Sequence, residues 1–333
     1  RFEVFCYYNH YTDDDASRRI AALADHWLPC RAWSDDVMAA RIRSDAIDIL
    51  VDLSGHTAHN RLLVFARKPA PVQMTWIGYQ STTGLESMDY RLTDFAMDPP
   101  GATDLFHSET ILRIVSSASF KPSVYRLPVN RLPALSSGTF TYACLNQLTK
   151  ITPQAIGVWS NILRTLPHSR MMLGNVNDAA TRQRLLEKFA AHGIDETRLV
   201  LHSRMSLAEY LALHHDIDLC LDSFPYNGGT TTLHAISMGV PTVTMEGVTP
   251  VARAGWAINA GAGLFEFVVK DQEHYIAKAL AAASDLPALD ALRQVLPARI
   301  QPAEESEDNA TLRYFQEVVR EIWTGWCKRG TAH

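Results

Sequence analysis

The chain has few cysteines and no excess of basic charge, and each shortage excludes a class of protein. Cys6, Cys30, Cys144, Cys220 and Cys327 are odd in number, widely spaced and form no Cys-x-x-Cys pair. That leaves neither a disulfide framework nor a structural zinc site, and it fits a reducing, cytoplasmic setting. Lys and Arg total 31 against 36 Asp and Glu, a formal net charge of −5. The totals therefore lack the basic surface that nucleic acid or an anionic membrane requires. No apolar run approaches the ~18 residues of a transmembrane helix, and no stretch reads as a signal peptide. Internal repeats, low-complexity tracts and heptads are missing too. So is an initiator Met: the chain opens Arg1-Phe-Glu-Val-Phe-Cys-Tyr, inside an apolar strand-like run, and reads as a piece of something longer.

What is present is an ordinary globular composition, 333 residues with 47% hydrophobic and 20% charged, enough for two domains of ~100–200 residues. Short β-rich runs alternate with amphipathic segments, the pattern of parallel sheets covered by helices. In the first part, strands are expected at Phe2–Tyr8, Asp48–Ser54, Val72–Tyr79 and Tyr90–Phe95, with helices at Asp14–Trp27, Ser34–Ser44 and Ala58–Arg67. Residues 98–138 carry Pro99, Pro100, Gly101, Pro122, Pro128, Pro133 and the turn Ser136-Ser-Gly138. They read as a break that holds the connection, at about 125–138, between a first lobe, 1–130, and a second, 139–300.

The second series has strands near 139–145, 169–174, 198–203, 218–223, 241–245 and 266–269, with helices near 153–165, 178–192, 206–215, 230–238, 250–260 and 272–283. Thr152-Pro153 marks one helix start, and Ser206 with Glu209 forms a capping box at another. A final helix at about 309–327, within a segment 305–328, sets Leu312, Phe315, Val319, Ile322 and Trp326 on one stripe and is expected to close the core.

In a doubly wound domain ligands bind beyond the carboxyl ends of the strands, where helix N-termini aim free N–H groups outward. Two such junctions carry unusual residues. In Asp222-Ser-Phe-Pro-Tyr-Asn-Gly-Gly-Thr-Thr-Thr-Leu-His234 a strand enters a Gly-rich turn and then a helix. Gly228 and Gly229 permit close backbone approach, Thr230 and Thr231 add hydroxyl donors, and His234 lies one turn on along the same face. That set suits a diphosphate and its ribose; the plainer reading is a helix cap.

The other junction, Cys144-Leu-Asn-Gln-Leu-Thr-Lys150, brings Asn146, Gln147 and Lys150 to the same edge. A lysine there supplies the positive charge needed when a nucleoside diphosphate departs, unless it is solvated surface. Asp216-Ile-Asp218 has a metal-binding pattern but precedes its strand, and His56 and His59 lack a third ligand and read as a loop-to-helix cap. His214 and His215 read as helix-dipole partners. No metal is expected. The segment Pro69–Gly84 is taken as a buried strand opening into a polar loop that faces the second lobe across a cleft.

These residues carry a resemblance. Asp48-Ile-Leu-Val-Asp-Leu-Ser-Gly-His-Thr, Arg67-Lys-Pro-Ala-Pro-Val-Gln-Met-Thr-Trp-Ile-Gly-Tyr, Met88-Asp-Tyr-Arg-Leu-Thr-Asp94, Asn146-Gln-Leu-Thr-Lys-Ile-Thr-Pro153, Phe224-Pro-Tyr-Asn-Gly-Gly-Thr-Thr-Thr232 and Met238-Gly-Val-Pro-Thr-Val-Thr-Met245 together resemble the catalytic region of the O-GlcNAc transferase / SPINDLY family, bacterial type. The resemblance implies an α/β fold of GT-B class, two Rossmann-like doubly wound lobes with a cleft between them and a C-terminal helix. It further implies metal-independent transfer of GlcNAc, with inversion, from UDP-GlcNAc to Ser or Thr of a protein acceptor, with no cofactor. By position, Lys150 matches the lysine on the leaving diphosphate, Gln147 a diphosphate contact, Thr230 and Thr231 the paired threonines on the phosphates, and Ile77-Gly78 the backbone at the sugar. Met205, Tyr210, His234, Asn146, Gly228 and Gly229 complete the donor site. His234 stands where the animal enzyme has an aspartate, Gly229 and Tyr210 where it has histidines. The SPINDLY branch, which uses GDP-fucose, and a nucleotide-sugar-binding scaffold without turnover remain alternatives. The family's proposed bases, and the helical repeats that recruit protein acceptors, are placed upstream of Phe2–Tyr8, outside these residues.

Overall fold

Parallel strand pairing organises the computed structural model, which describes residues 2–114, 127–300 and 310–330. The chain divides into two units: the described residues of Arg1–Phe95, Thr103–Ser117 and Ala310–His333 form one, those of Ala96–Ala102 and Ala118–Asn309 the other.

In the first unit β1 (Phe5–Tyr8) pairs with β2 (His26–Pro29), and β3 (Ile49–Asp52), β4 (Val72–Trp76), β5 (Tyr90–Asp94) and β6 (Thr110–Ile114) form a separate four-stranded parallel sheet in that order. Helix α1 (Asp15–Leu23) starts from a capping box at Asp14 and Ser17, α2 (Asp35–Ser44) from Ser34, and α3 (Leu62–Ala66) is short. Two strands correct the sequence expectations. The helix expected to run to Trp27 stops at Leu23, because residues 26–29 pair with β1. The apolar residues that extended the helical pattern, Ile20 and Leu23, face solvent, Leu23 being 85% exposed. Strand β6, not expected from sequence, lies inside the stretch 98–138 read as a break, paired from Thr110 to Ile114 with β5; the prolines and glycine before it mark a turn. Residues 115–126, within that stretch, lie outside the described residues.

The second unit begins with α4 (Ala134–Ser137) and is built on β7 (Phe140–Cys144), β8 (Ser169–Leu173), β9 (Leu199–Leu201), β10 (Leu219–Leu221), β11 (Thr242–Met245) and β12 (Val268–Val269). Its parallel sheet has the order β12-β11-β10-β7-β8-β9. The chain winds outward from β7 in one direction, returns, and winds outward from β10 in the other, so the strand order reverses between these two neighbours.

The intervening helices are α5 (Pro153–Thr165), α6 (Ala179–Ala190), α7 (Leu207–Ala212), α8 (Thr230–Ser237), α9 (Ala254–Gly261) and α10 (Gln272–Ser284). The Thr152 and Ser206 caps form as expected. A further helix, α11 (Leu286–Val295), was not anticipated, although Asp285 and Pro287 signal its start and the Asp285 side chain accepts from the Ala288 N–H. Trp159, Tyr142, Tyr275 and Phe189 fill the core between sheet and helices.

The last helix, α12 (Ala310–Gly330), belongs to the first unit. Val318, Val319 and Ile322 bury against Val72, Met74 and Leu92 of β4 and β5, with Phe315 stacked on Trp76. The ends of the expected stripe are not covered: Leu312 is 50% and Trp326 38% exposed. A helix of 21 residues is roughly 32 Å long and a four-stranded sheet roughly 14 Å wide, so the sheet covers only the middle turns.

One buried cation ties the second unit together. Arg293, fully buried, donates to the carbonyls of Ile217 (2.8 Å), His214 (2.8 Å) and Asn130 (3.0 Å). Replacing it with Met takes a donor from all three carbonyls, leaving Asn130 with Gln294 and His214 with the long Ile217 N–H bond, so Arg293→Met is expected to cost about 3 kcal/mol in denaturant unfolding.

Candidate functional site

Because β7 and β10 are neighbours, the loops leaving their carboxyl ends emerge side by side. The β7 loop carries Asn146, Gln147 and Lys150, and the β10 loop runs from Asp222 through Gly229 into α8. Asn146 is buried and joins the two: its Nδ2 donates to Asp222 Oδ1 (2.9 Å) and Ser223 Oγ (2.9 Å), while its Oδ1 accepts from the Thr231 hydroxyl. The Gly228 N–H donates to Asp222 Oδ1 (2.7 Å) and the Thr244 hydroxyl to Asp222 Oδ2 (2.8 Å). Lys150 Nζ donates to the Asn227 carbonyl (2.8 Å) and sits 3.8 Å from the centre of the Tyr226 ring. Burial lowers the Lys150 pKa, with the negative charge of Asp222 acting in the opposite sense.

Beside this junction lies a cavity of about 530 Å³ at the carboxyl edge of the sheet, lined among others by Gln147, Met205, Tyr210, Thr230, Thr231 and His234. The start of α8 opens on it with Gly229 as N-cap and no side-chain cap, the arrangement in which first-turn N–H groups serve an anion. The Tyr210 and His234 rings meet edge to face at 5.5 Å. Burial lowers the His234 pKa, which favours a neutral imidazole able to donate and accept.

These loops place the chain. The sequence model of glycosyl transferase family 41 matches residues 1–120 and 122–312. The chain belongs to this family. It is 36% identical over 311 residues to a UDP-N-acetylglucosamine–peptide N-acetylglucosaminyltransferase named SPINDLY from Solanum lycopersicum, covering 90% of this chain and 33% of that one. To the Arabidopsis thaliana relative named SEC it is 31% identical over 343 residues, covering 97% and 34%. The chain thus spans about a third of the length of these curated relatives. A solved Thermobaculum terrenum O-GlcNAc transferase variant superposes with a TM-score of 0.90 at 35% identity, covering 98% of this chain and 63% of that one. A sucrose-phosphate synthase from Thermosynechococcus elongatus superposes at 0.57 with 12% identity, a likeness of fold alone. The fold is GT-B, as the sequence motifs implied.

In this family 41 chain the site residues named from sequence separate by position. Gln147, Met205, Tyr210, Thr230, Thr231 and His234 face the cavity. Asn146 and Gly228 lie buried beneath the turn, and Lys150 stands at its flank on Asn227. Gly78 belongs to the first unit. There Ile77, at the centre of a γ-turn, has φ 63°, the Gly78 N–H turns back to the Trp76 carbonyl (2.8 Å), and a Cβ on Gly78 would stand 2.3 Å from the Leu53 carbonyl oxygen, so position 78 admits no side chain.

Four expectations change in detail. The Thr231 hydroxyl points its proton at Asn146, so Thr231 offers the cavity its N–H. Gly228 does not face a ligand: a Cβ there would lie 2.7 Å from Asn146 Oδ1 and 2.8 Å from Thr231 Oγ1. His214 is no helix-dipole cation, being 1% exposed with its pKa pushed down to about 4 by burial and its Nδ1 against the carbonyls of Tyr210 and Leu211. His56 and His59 cap no helix, for α3 begins at Leu62 without a side-chain cap. Among the described residues no three His, Cys, Asp or Glu side chains are grouped to hold a metal ion, and no helix is long and apolar enough to cross a membrane. Sequence reasoning missed Asn175 and His202 on the cavity wall; they follow β8 and β9, so the carboxyl-edge rule that found the other loops would have found them.

Gly228 and Gly229 make opposite predictions. Gly228→Ala should lower stability by about 1–3 kcal/mol through overpacking, whereas a Cβ on Gly229 meets nothing within 4 Å and Gly229→Ala should melt like the wild type. The His214 shift sets an acid limit. Its folded pKa lies below its unfolded value, so its contribution is full above about pH 6.5 and is lost as pH falls toward 4, up to ~3 kcal/mol. His214→Gln should remove that part of the pH dependence in urea titrations.

Proposed function

We propose that this chain holds the donor site and transfer machinery of a protein glycosyltransferase that passes GlcNAc from UDP-GlcNAc to Ser or Thr, with inversion at the sugar and without a metal ion. The observation that carries this reading is the uncapped start of α8 opening on the cavity beside Lys150 at the point where the strand order reverses. The SPINDLY and SEC relatives, which are named for UDP-N-acetylglucosamine and a peptide acceptor, support this choice of sugar, nucleotide and acceptor.

In transfer the acceptor hydroxyl gives its proton to a base as its oxygen bonds to the anomeric carbon on the face opposite the diphosphate, the bond from that carbon to the diphosphate breaks, and the electron pair leaves with UDP. The N–H groups of Thr230 and Thr231 and the ammonium of Lys150 meet that negative charge, so no divalent ion is required. Lys150 keeps further N–H bonds for this beyond the one given to Asn227. Gln147 adds a diphosphate contact, His234 a partner for a ribose hydroxyl, and Tyr210 with Met205 a wall for the base.

Lys150→Ala is expected to slow UDP release from UDP-GlcNAc by ~10²–10³-fold while weakening UDP itself by ~10-fold or less, and a chelator should leave turnover unchanged. Turnover within a few-fold of wild type in Lys150→Ala would remove the leaving-group role. Tighter binding of GDP than of UDP in calorimetry would overturn the donor assignment.

A further inference from the structure

Asp222 ends β10 under the Gly-rich turn and is 2% exposed. It is absent from the wall of the 530 Å³ cavity, yet the β7 loop, the Gly-rich turn and, through Asn146, the start of α8 are tied to it. Oδ1 accepts the Gly228 N–H at 2.7 Å and Asn146 Nδ2 at 2.9 Å. The second bond fixes which way the Asn146 amide faces, so its Oδ1 meets the Thr231 hydroxyl on the first turn of α8. Oδ2 accepts from Thr244 of β11 at 2.8 Å, and the main-chain carbonyl accepts from Tyr275 of α10 at 2.8 Å. The space is closed from the other side: a Cβ on Gly255 would lie 2.5 Å from Asp222 Oδ2 and 2.1 Å from Thr244 Oγ1.

The first unit repeats the device independently. Asp52 ends β3, is buried, and accepts the Gly55 N–H at 2.8 Å and the hydroxyl of Thr75, from the neighbouring strand, at 2.7 Å. In both units a carboxylate at a strand's end takes a threonine from the next strand and a glycine N–H from the loop that follows.

We infer that Asp222 is a positioning residue of the donor site: through hydrogen bonds accepted at Oδ1 it sets the Gly228 turn and the Asn146–Thr231 pair against the start of α8, without touching the ligand. The inference rests on the donor reading proposed above. Asp222 acts by acceptance and not by charge, because Oδ2 meets the Thr244 hydroxyl, which can reverse. Asp222→Asn therefore keeps the arrangement, with Oδ1 unchanged and the amide donating to Thr244. The groups facing the carboxyl are Lys150 from the β7 loop, Cys144 on β7, Cys220 on β10 itself and Tyr275 on α10. Burial pushes Asp222 up to about 6, so a charge-dependent role would appear near that pH.

The test has two arms on the whole chain. Without ligand, hydrogen exchange in segment 222–231 should be equal in wild type and Asp222→Asn and at least ~10-fold faster in Asp222→Ala. With UDP, calorimetry should give Asp222→Asn a Kd within ~3-fold of wild type, in constant ratio from about pH 5.5 to 7.5, and Asp222→Ala a Kd at least ~30-fold weaker. If Asp222→Ala does not fold, Asp222→Asn decides alone on both readouts. Faster exchange or weak binding in Asp222→Asn, a ratio that drifts with pH, or wild-type behaviour in a folded Asp222→Ala overturns the inference. Failure of the wild type to bind UDP sinks the donor reading instead, leaving the exchange arm to decide the role of Asp222 in the turn.

Discussion

The pairing of β7 with β10 is the constraint on which the rest of the second unit depends. Parallel strands need crossovers, and when successive crossovers wind in opposite directions from two adjacent strands, the loops leaving those strands cannot cover one another. The gap is a consequence of topology before any side chain is chosen. Asn146 and Lys150 reach the β10 loop from β7 only because the register sets Cys220 opposite Ala143. Moving either strand one place would separate them.

Within that gap the electrostatics are arranged as a layered pair. A carboxylate with almost no exposure lies below, an ammonium at the flank is half withdrawn from water, and burial opposes the charge of each. The carboxylate is held by the N–H and hydroxyl bonds it accepts, and the ammonium by the Asn227 carbonyl and the Tyr226 ring. A strongly basic surface is unnecessary for one diphosphate, which accounts for a net charge of −5 in a chain read as binding an anionic ligand.

Much of this was legible from the residues. The second unit was readable because its strands are short apolar runs separated by marked helix starts, such as Thr152-Pro153 and Ser206 with Glu209. The β7 and β10 loops were readable because glycines, threonines and a lysine are unusual at a strand's carboxyl end. What escaped was set by distant partners. His26–Pro29 becomes a strand by pairing with Phe5–Tyr8, and no local pattern shows that. Asp222 stood only as the first residue of the Gly-rich motif, with no role of its own; its importance comes from Asn146, 76 residues away. Whether Gly228 serves a ligand or its own neighbours depends on which atoms stand where its Cβ would be, and periodicity carries no such information.

The path of α12 has a bearing on how the protein is made. The face of β4 and β5 formed by Val72, Met74 and Leu92 is covered by residues 315–323, which the ribosome delivers after the whole second unit. During synthesis the first sheet must wait with an apolar face uncovered, the condition in which nascent chains associate wrongly or engage chaperones. The second unit, whose sheet is closed by residues up to 300, is finished first although it begins later. Order of assembly and order of sequence are therefore reversed in this chain.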